Sequence, residues 1–337
     1  MPVGAPGPLE WQTNGVQLTL HDRDGRRPIA WEQIGDLVAS DFAIVLGAGG
    51  ATGLSFEAGC LLALATDHRL RLGCATAMVG TSAGAIAASL IALGFEAADL
   101  AALVTEVHQH VDPSLTSLNV RFADDIPSVP GPLQLFRRPT FGSAVRGVGL
   151  VFRRRFTAAL VNALKQGQFD LAPQLQFLDA VDWPRPDDRL RVCATHATTG
   201  RRHVFSASSD VPLMDAVAAS CAVPGVMRPV TIDGTAYLDG GLVSPTNADV
   251  LHDFDGGPII VVSPMSGRRS NTVIGRMSIV HARKRLAPEL ERLRRRHPVL
   301  VIEPGNALSA MVVDAALDAE HKGDIMTAAY LGSSVHP

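Results

Sequence analysis

The stretch Ala75-Thr76-Ala77-Met78-Val79-Gly80-Thr81-Ser82-Ala83-Gly84-Ala85-Ile86-Ala87-Ala88-Ser89-Leu90-Ile91-Ala92-Leu93 decides the fold. Its first five residues form an apolar, strand-like run, and the residues from Ala85 onward read as a helix. Between them a serine is flanked by glycines two positions away on either side. Strand, G-x-S-x-G and helix together define a nucleophile elbow, in which the serine sits on a tight turn at the end of a strand. Gly80 and Gly84 are needed because the backbone approaches itself there and a Cβ would clash. Ser82 also stands at a helix N-terminus, where partial positive charge favours a developing anion. A serine that merely caps the helix fits the same five residues, so the pentapeptide alone leaves both roles open.

Upstream, Phe42-Ala43-Ile44-Val45-Leu46-Gly47 is a continuous apolar run of the kind that forms a buried parallel strand. The turn Gly47-Ala48-Gly49-Gly50-Ala51-Thr52-Gly53 follows, then a helix expected from Leu54 to Thr66. A glycine-rich turn opening a helix presents bare N–H groups to an anion. Dinucleotide binding is one reading, since Gly47-x-Gly49 partly matches the Rossmann fingerprint and Asp67 falls near the ribose-binding position. Against it, Asp67 lies in an apparent helix end and the third glycine is off register. An oxyanion hole is the second reading, with the N–H groups of Gly49, Gly50 and Ala51 stabilising a tetrahedral intermediate. A purely structural turn is the third.

Downstream, the elbow helix stops at Gly94, and an amphipathic helix is expected from Glu96 to about His110. His108 and His110 are two apart and share no helix face, so they do not read as metal ligands. Residues 112–150 are rich in Pro, Gly, Ser and Arg. Phe122, Phe136 and Phe141 lie in this segment, with Phe152 and Phe156 just beyond, which suits a lid or interfacial patch and equally a loop that buries its own aromatics. Residues 153–168 return to a helical pattern. Residues 189–196 and 201–206 read as a hairpin, followed by a helix to about Cys221 that Val223-Pro224-Gly225 stops. Asp233-Gly234 signals another hairpin turn, whose second arm delivers Asp239 to a strand end before Gly240-Gly241. A carboxylate there can take a proton from a nearby hydroxyl, or can simply cap its turn. Strands are expected at 258–263 and 299–302, a helix at 276–296 broken by Pro288, and one or two helices over 307–331.

The chain has 337 residues with a net charge of −3, which gives no general affinity for nucleic acid. Arg283-Lys284-Arg285 and Arg294-Arg295-Arg296 read as a solvated helix face. Cys60, Cys74, Cys193 and Cys221 are scattered in apolar or helical surroundings. They predict buried free thiols rather than a zinc site or a disulfide framework. Residues 1–40 read as an N-terminal extension with a short strand at Val16–Leu20 and without the pattern of a signal peptide, which predicts a cytoplasmic chain. No run of 18 apolar residues exists to span a bilayer.

Four features now stand in order: the glycine-rich turn after a buried strand, Gly80-Thr81-Ser82-Ala83-Gly84, the segment Ala219-Ser220-Cys221-Ala222-Val223-Pro224, and Asp239-Gly240-Gly241. Together they resemble the patatin-like phospholipase family over roughly residues 41–264. The resemblance implies a three-layer α/β/α sandwich with a mainly parallel central sheet over 41–337, in which 265–337 closes the domain with helices. It implies a calcium-independent lipid acyl hydrolase with a Ser–Asp dyad, with Ser82 as nucleophile, Asp239 as its base and the Gly49-Gly50 region as oxyanion hole. No cofactor or metal is implied; the partners implied are a lipid or ester substrate and transient contact with a membrane surface. Two positions depart from the family's G-G-G-x-R/K-G turn. Ala48 replaces the first glycine, and Thr52 replaces the basic residue, so any part that charge plays in anchoring the turn must be met otherwise. An α/β-hydrolase with a triad completed by His252 or His281 keeps the same order of residues. An oxidoreductase or a non-catalytic binding module using the glycine-rich turn is the reading from another class.

Overall fold

The computed structural model describes residues 9–13, 16–21, 41–105, 169–179, 181–186, 189–316 and 321–334. The candidate lid at 112–150, the helix expected at 153–168, and His108 and His110 lie outside them.

Apolar runs without alternation form the centre of the sheet, because strands covered on both faces need apolar side chains on both. These are β3 (Ala43–Leu46), β4 (Ala77–Thr81), β5 (Leu190–His196), β9 (Ile259–Val262) and β10 (Val299–Pro304). They pair in parallel in the order β10-β9-β3-β4-β5. Antiparallel strands complete both ends. On one side β1 (Leu9–Thr13) and β2 (Val16–His21) extend the sheet beyond β10, so the N-terminal segment contributes strands to the sheet itself. On the other, β5 pairs with β6 (Arg202–Phe205) and with β8 (Thr235–Asp239), and β8 pairs with β7 (Val230–Ile232). Both expected hairpins are present.

Successive side chains of a strand point to opposite faces, and the two cores follow that alternation. Ile44, Leu46, Met78, Leu190, Val192, Ile260 and Val262 pack with one layer of helices. That layer holds α1 (Gly50–Thr66), α2 (Ala83–Ala92), α3 (Ala97–Thr105), α4 (Leu213–Ser220), α6 (Asn306–Asp314) and α7 (Lys322–Ser334). Ala43, Val45, Val79, Cys193, Ile259 and Val261 face the other way, onto α5 (Val273–Leu293) and the 3-10 turn Ala248–Asp253. The architecture is the three-layer α/β/α sandwich with a mostly parallel sheet.

Three expectations are corrected. Helix α1 begins at Gly50, not Leu54, so the glycine-rich turn is partly the helix's own first turn. Pro288 does not break α5, which runs through it to Leu293. The carbonyl that loses its bond to the missing N–H belongs to exposed Lys284, where water replaces the partner at little cost. Cys74 is exposed, because it ends a short 3-10 turn at Leu72–Cys74 outside the strand, whereas Cys60, Cys193 and Cys221 are buried.

Candidate active site

The site lies where β4 and β8 flank β5. Thr81 pairs with Cys193, so the next residue, Ser82, comes level with Ala194. Asp239 pairs with Ala194 from the opposite side. Register alone therefore brings the serine and the carboxylate to one height, two strand spacings apart, and their side chains converge over the end of β5.

Ser82 joins β4 to α2 with φ 53 and ψ −121, a left-handed conformation that a residue with a Cβ holds only when its surroundings enforce it. The enforcement is visible. The Ser82 N–H donates to Ser220 Oγ at 2.8 Å, and the Ser220 hydroxyl donates onward to the Cys193 carbonyl at 2.7 Å. The Gly84 N–H donates to the Gly47 carbonyl at 3.1 Å, which ties the elbow to the end of β3. A Cβ on Gly84 would run into the Leu46 carbonyl, and Gly80 is equally closed by Ala85 and Gly84.

Asp239 closes β8. Its Oδ1 accepts the Gly241 N–H at 2.7 Å, and its carbonyl accepts the Thr195 hydroxyl at 2.9 Å. A Cβ on Gly240 would collide with the Cys193 carbonyl, so only glycine lets this turn fold against β5. Burial pushes the Asp239 carboxyl up to about 6, while the adjacent Ser82 hydroxyl and the Gly241 N–H partly oppose the rise. Cys221 sits against both residues; burial, with the Asp239 charge second, holds its thiol well above the usual range, which keeps it protonated.

Behind the pair stands Asn247, which the sequence reading did not single out. It is fully buried with φ 52, and its amide nitrogen donates to Ser244 O at 2.6 Å, Thr81 Oγ1 at 3.1 Å and Gly240 O at 3.4 Å. One side chain thus joins the residue before Ser82 to the residue after Asp239. The flanking main chain is held in turn by buried Glu289 of α5, whose Oε2 accepts the Thr246 hydroxyl at 2.7 Å and the Ala248 N–H at 2.9 Å.

The glycine-rich turn faces the same cleft. Gly50, Ala51 and Ser82 line it together with apolar Leu54, Ile86 and Met227. The N–H groups of Gly50 and Ala51 belong to the first turn of α1, where no intrahelical carbonyl reaches them. Gly49 stands one step back as the N-cap, its carbonyl accepting the Gly53 N–H at 3.0 Å. Ala48 avoids positive φ, and its N–H is engaged by the Pro245 carbonyl at 2.7 Å, so it donates nothing to the cleft. Thr52 anchors the turn where the family has a basic residue: its hydroxyl donates to the Val312 carbonyl of α6 at 2.7 Å.

The histidines of the triad reading lie elsewhere. His252 is exposed on the 3-10 turn. His281 of α5 reaches the Gly241 carbonyl, with Nε2 3.1 Å from the oxygen, and burial lowers its pKa. The neighbours that act on the Asp239 carboxyl are Ser82 and Gly241, with no histidine among them. Asp67 caps the C-terminus of α1, as a helix end rather than a strand tip, which leaves the dinucleotide reading without its acid. Among the described residues no group of three or more His, Cys, Asp or Glu side chains is arranged to hold a metal, and no helix is long and apolar enough to cross a membrane.

The family model described as patatin-like phospholipase matches residues 44–252, a span that holds the elbow, the glycine-rich turn and the Asp239 turn. Among solved structures, VipD from Legionella pneumophila is similar at 14% identity and a TM-score of 0.40, over 99% of this chain and 70% of that one. Full-length ExoU from the type III secretion system of Pseudomonas aeruginosa, solved in complex with SpcU, is similar at 21% identity and a TM-score of 0.29, over 98% of this chain. The chain spans 60% of that ExoU chain.

Proposed function

The chain belongs to the patatin-like phospholipase family and is by class a lipid ester hydrolase, and from that premise we propose that it cleaves carboxylic esters of phospholipids, lysophospholipids or acylglycerols through a Ser82–Asp239 dyad. Asp239 takes the Ser82 hydroxyl proton as Oγ attacks the ester carbonyl. The tetrahedral oxygen is held by the N–H groups of Gly49, Gly50 and Ala51 at the start of α1. Asp239 returns the proton to the departing alcohol, leaving an acyl-serine. Water then attacks the acyl carbonyl with Asp239 again as base, Asp239 returns that proton to Ser82 Oγ as it departs, and the acid is released. No step calls on calcium, since main-chain donors meet the developing charge.

The observation that carries this reading is the pairing of Ser82 and Asp239 at one level of the sheet, with the carboxyl pushed up to about 6. An ordinary aspartate is a weak base for a serine hydroxyl; burial strengthens it while leaving it ionised at neutral pH. The apolar wall of Leu54, Ile86 and Met227 suits an acyl chain. The test is a serine-directed fluorophosphonate probe with an ester panel graded by chain length and headgroup. Labelling and hydrolysis should vanish in Ser82→Ala and Asp239→Asn and persist in His252→Ala and His281→Ala. Full activity in Asp239→Asn, or its loss in His281→Ala without loss of fold, would overturn the dyad.

A further inference from the structure

We propose that the first two turns of α5, with the basic loop before them, form the face by which the protein seats on an anionic lipid bilayer. Among the described residues six large hydrophobic side chains are exposed, and four of them lie here: Val273 at 64%, Ile274 at 48%, Met277 at 39% and Val280 at 65%. Val273, Met277 and Val280 recur at helical spacing and make one stripe, which continues into Lys284. Soluble surfaces rarely gather apolar residues this way unless something covers them.

Charge identifies the occupant. Arg268, Arg269, Arg276, Arg283 and Lys284 are all exposed around the stripe. The carboxylates nearby are engaged: Asp314 accepts from Ser270, Asn271 and Thr272, and Glu303 lies 3.8 Å from Arg283. Glu289 and Glu291, the acids of α5, follow only after Pro288, and Glu289 points into the buried network behind the site. An apolar stripe rimmed by arginines matches an interface of acyl chains beneath anionic headgroups.

Position favours the same occupant. The loop that carries Arg268 and Arg269 leaves β9 at the sheet edge where β3 and β4 end, and Pro264 packs where a Cβ on Gly49 would lie, 2.9 Å away. Next to Val280 in sequence, His281 touches Gly241 of the Asp239 turn. The start of α5 and the cleft thus share the end of the sheet at which β3, β4 and β9 stop, with α5 on the opposite face from α1 and α2. The choice of a bilayer over a protein partner rests on the lipid hydrolase reading.

The test floats the full chain, carrying Ser82→Ala so that vesicles stay intact, with phosphatidylcholine vesicles and with equimolar phosphatidylcholine–phosphatidylserine vesicles. The parent should partition onto the anionic vesicles, and less so in high salt. Val273→Ser/Met277→Ser/Val280→Ser and, independently, Arg268→Gln/Arg269→Gln/Arg276→Gln should each cut partitioning roughly tenfold or more, since each cation near the surface is worth about fivefold. In the Ser82 background both triples should hydrolyse a soluble short-chain ester at the parent rate. Absence of partitioning, partitioning that both triples retain, or a dimer that the apolar triple converts to monomer would overturn the proposal. If the chain with Ser82 intact leaves the soluble ester uncleaved while the triples still abolish vesicle binding, the dyad falls and the docking face stands.

Discussion

Replacing Asp239 by Asn should stabilise the protein while abolishing its activity, and both effects should appear only on the alkaline side. The Asp239 carboxyl sits at about 6 in the folded protein against an ordinary 3.8, raised by burial. Below about pH 3.8 both folded and unfolded chains hold the proton, and the group contributes nothing to stability. Between about 4 and 6 the unfolded chain releases a proton that the folded chain retains, so stability falls as pH rises. Above about 6 the folded state also ionises and the deficit is complete. A rise of about two pH units at about 1.36 kcal/mol each makes it about 3 kcal/mol. An asparagine is neutral throughout, and its Oδ1 can still accept the Gly241 N–H. Urea unfolding at about pH 8 should therefore show the variant more stable by about 1–3 kcal/mol, with the difference shrinking towards pH 4. In parallel, kcat/KM of the parent should rise with pH through about 6 and level off, because in the proposed mechanism only the ionised carboxylate acts as base. A variant less stable than the parent at alkaline pH, or a parent rate flat across that range, would refute the reasoning.

Ser220→Ala leaves the Ser82 N–H and the Cys193 carbonyl without their partner; kcat should fall at least tenfold with little change in KM, and Ser220→Thr should restore most of it in steady-state kinetics. Asn247→Ala should cost about 1–3 kcal/mol in chemical unfolding, since buried Thr81 and Gly240 groups lose a donor. Gly84→Ala should yield no folded, soluble protein on expression, because its Cβ meets the Leu46 carbonyl and not a movable side chain. Pro288→Ala should raise the thermal midpoint, by about 1 kcal/mol of stability, because the exposed helix regains one bond from its interior.

What the sequence discloses is the part of the site made by close approach. Gly80, Gly84 and Gly240 mark places where backbone meets backbone, and such places leave a fixed residue type in a fixed spacing. The buried strands β3 and β9 were legible for a similar reason, as runs with no polar alternation. The supports of the site are another matter. Ser220 lies in an alanine-rich helix, and Asn247 in a loop; each acts on a strand far away in sequence, and no local pattern points there. The start of α1 was obscured by Gly50 and Gly53, poor helix formers whose use is to bring main chain near the cleft. Leu9–Thr13 carries a readable signal, alternation on both sides of Asn14-Gly15, a strong hairpin pair. The exposed stripe of α5 could not be read at all, because Val273, Ile274, Met277 and Val280 look like core residues until their surroundings are known.

Two features of the site are locally unfavourable: Ser82 at positive φ and a carboxylate taken out of water, whereas Asn247 stands in the left-handed region that asparagine tolerates. Neither of the two would persist in an isolated turn. They persist because each is bonded to a strand whose register is already set on both sides. Ser82 hangs from Ser220 and thence from Cys193; Asp239 is locked to Thr195; Asn247 spans Thr81 and Gly240. All three lines end on β5 or on the strand ends beside it. Strand β5 is the shared ruler for Ser82 and Asp239, and a shift of one residue along it would move Ser82 away from Ala194 while leaving every local motif intact. In the proposed mechanism this rigidity stands in for a histidine. A carboxylate fixed beside the hydroxyl, and made more basic by its burial, needs no mobile intermediary to carry the proton. The same burial lowers stability above pH 6, so in that mechanism reactivity and stability oppose each other at Asp239.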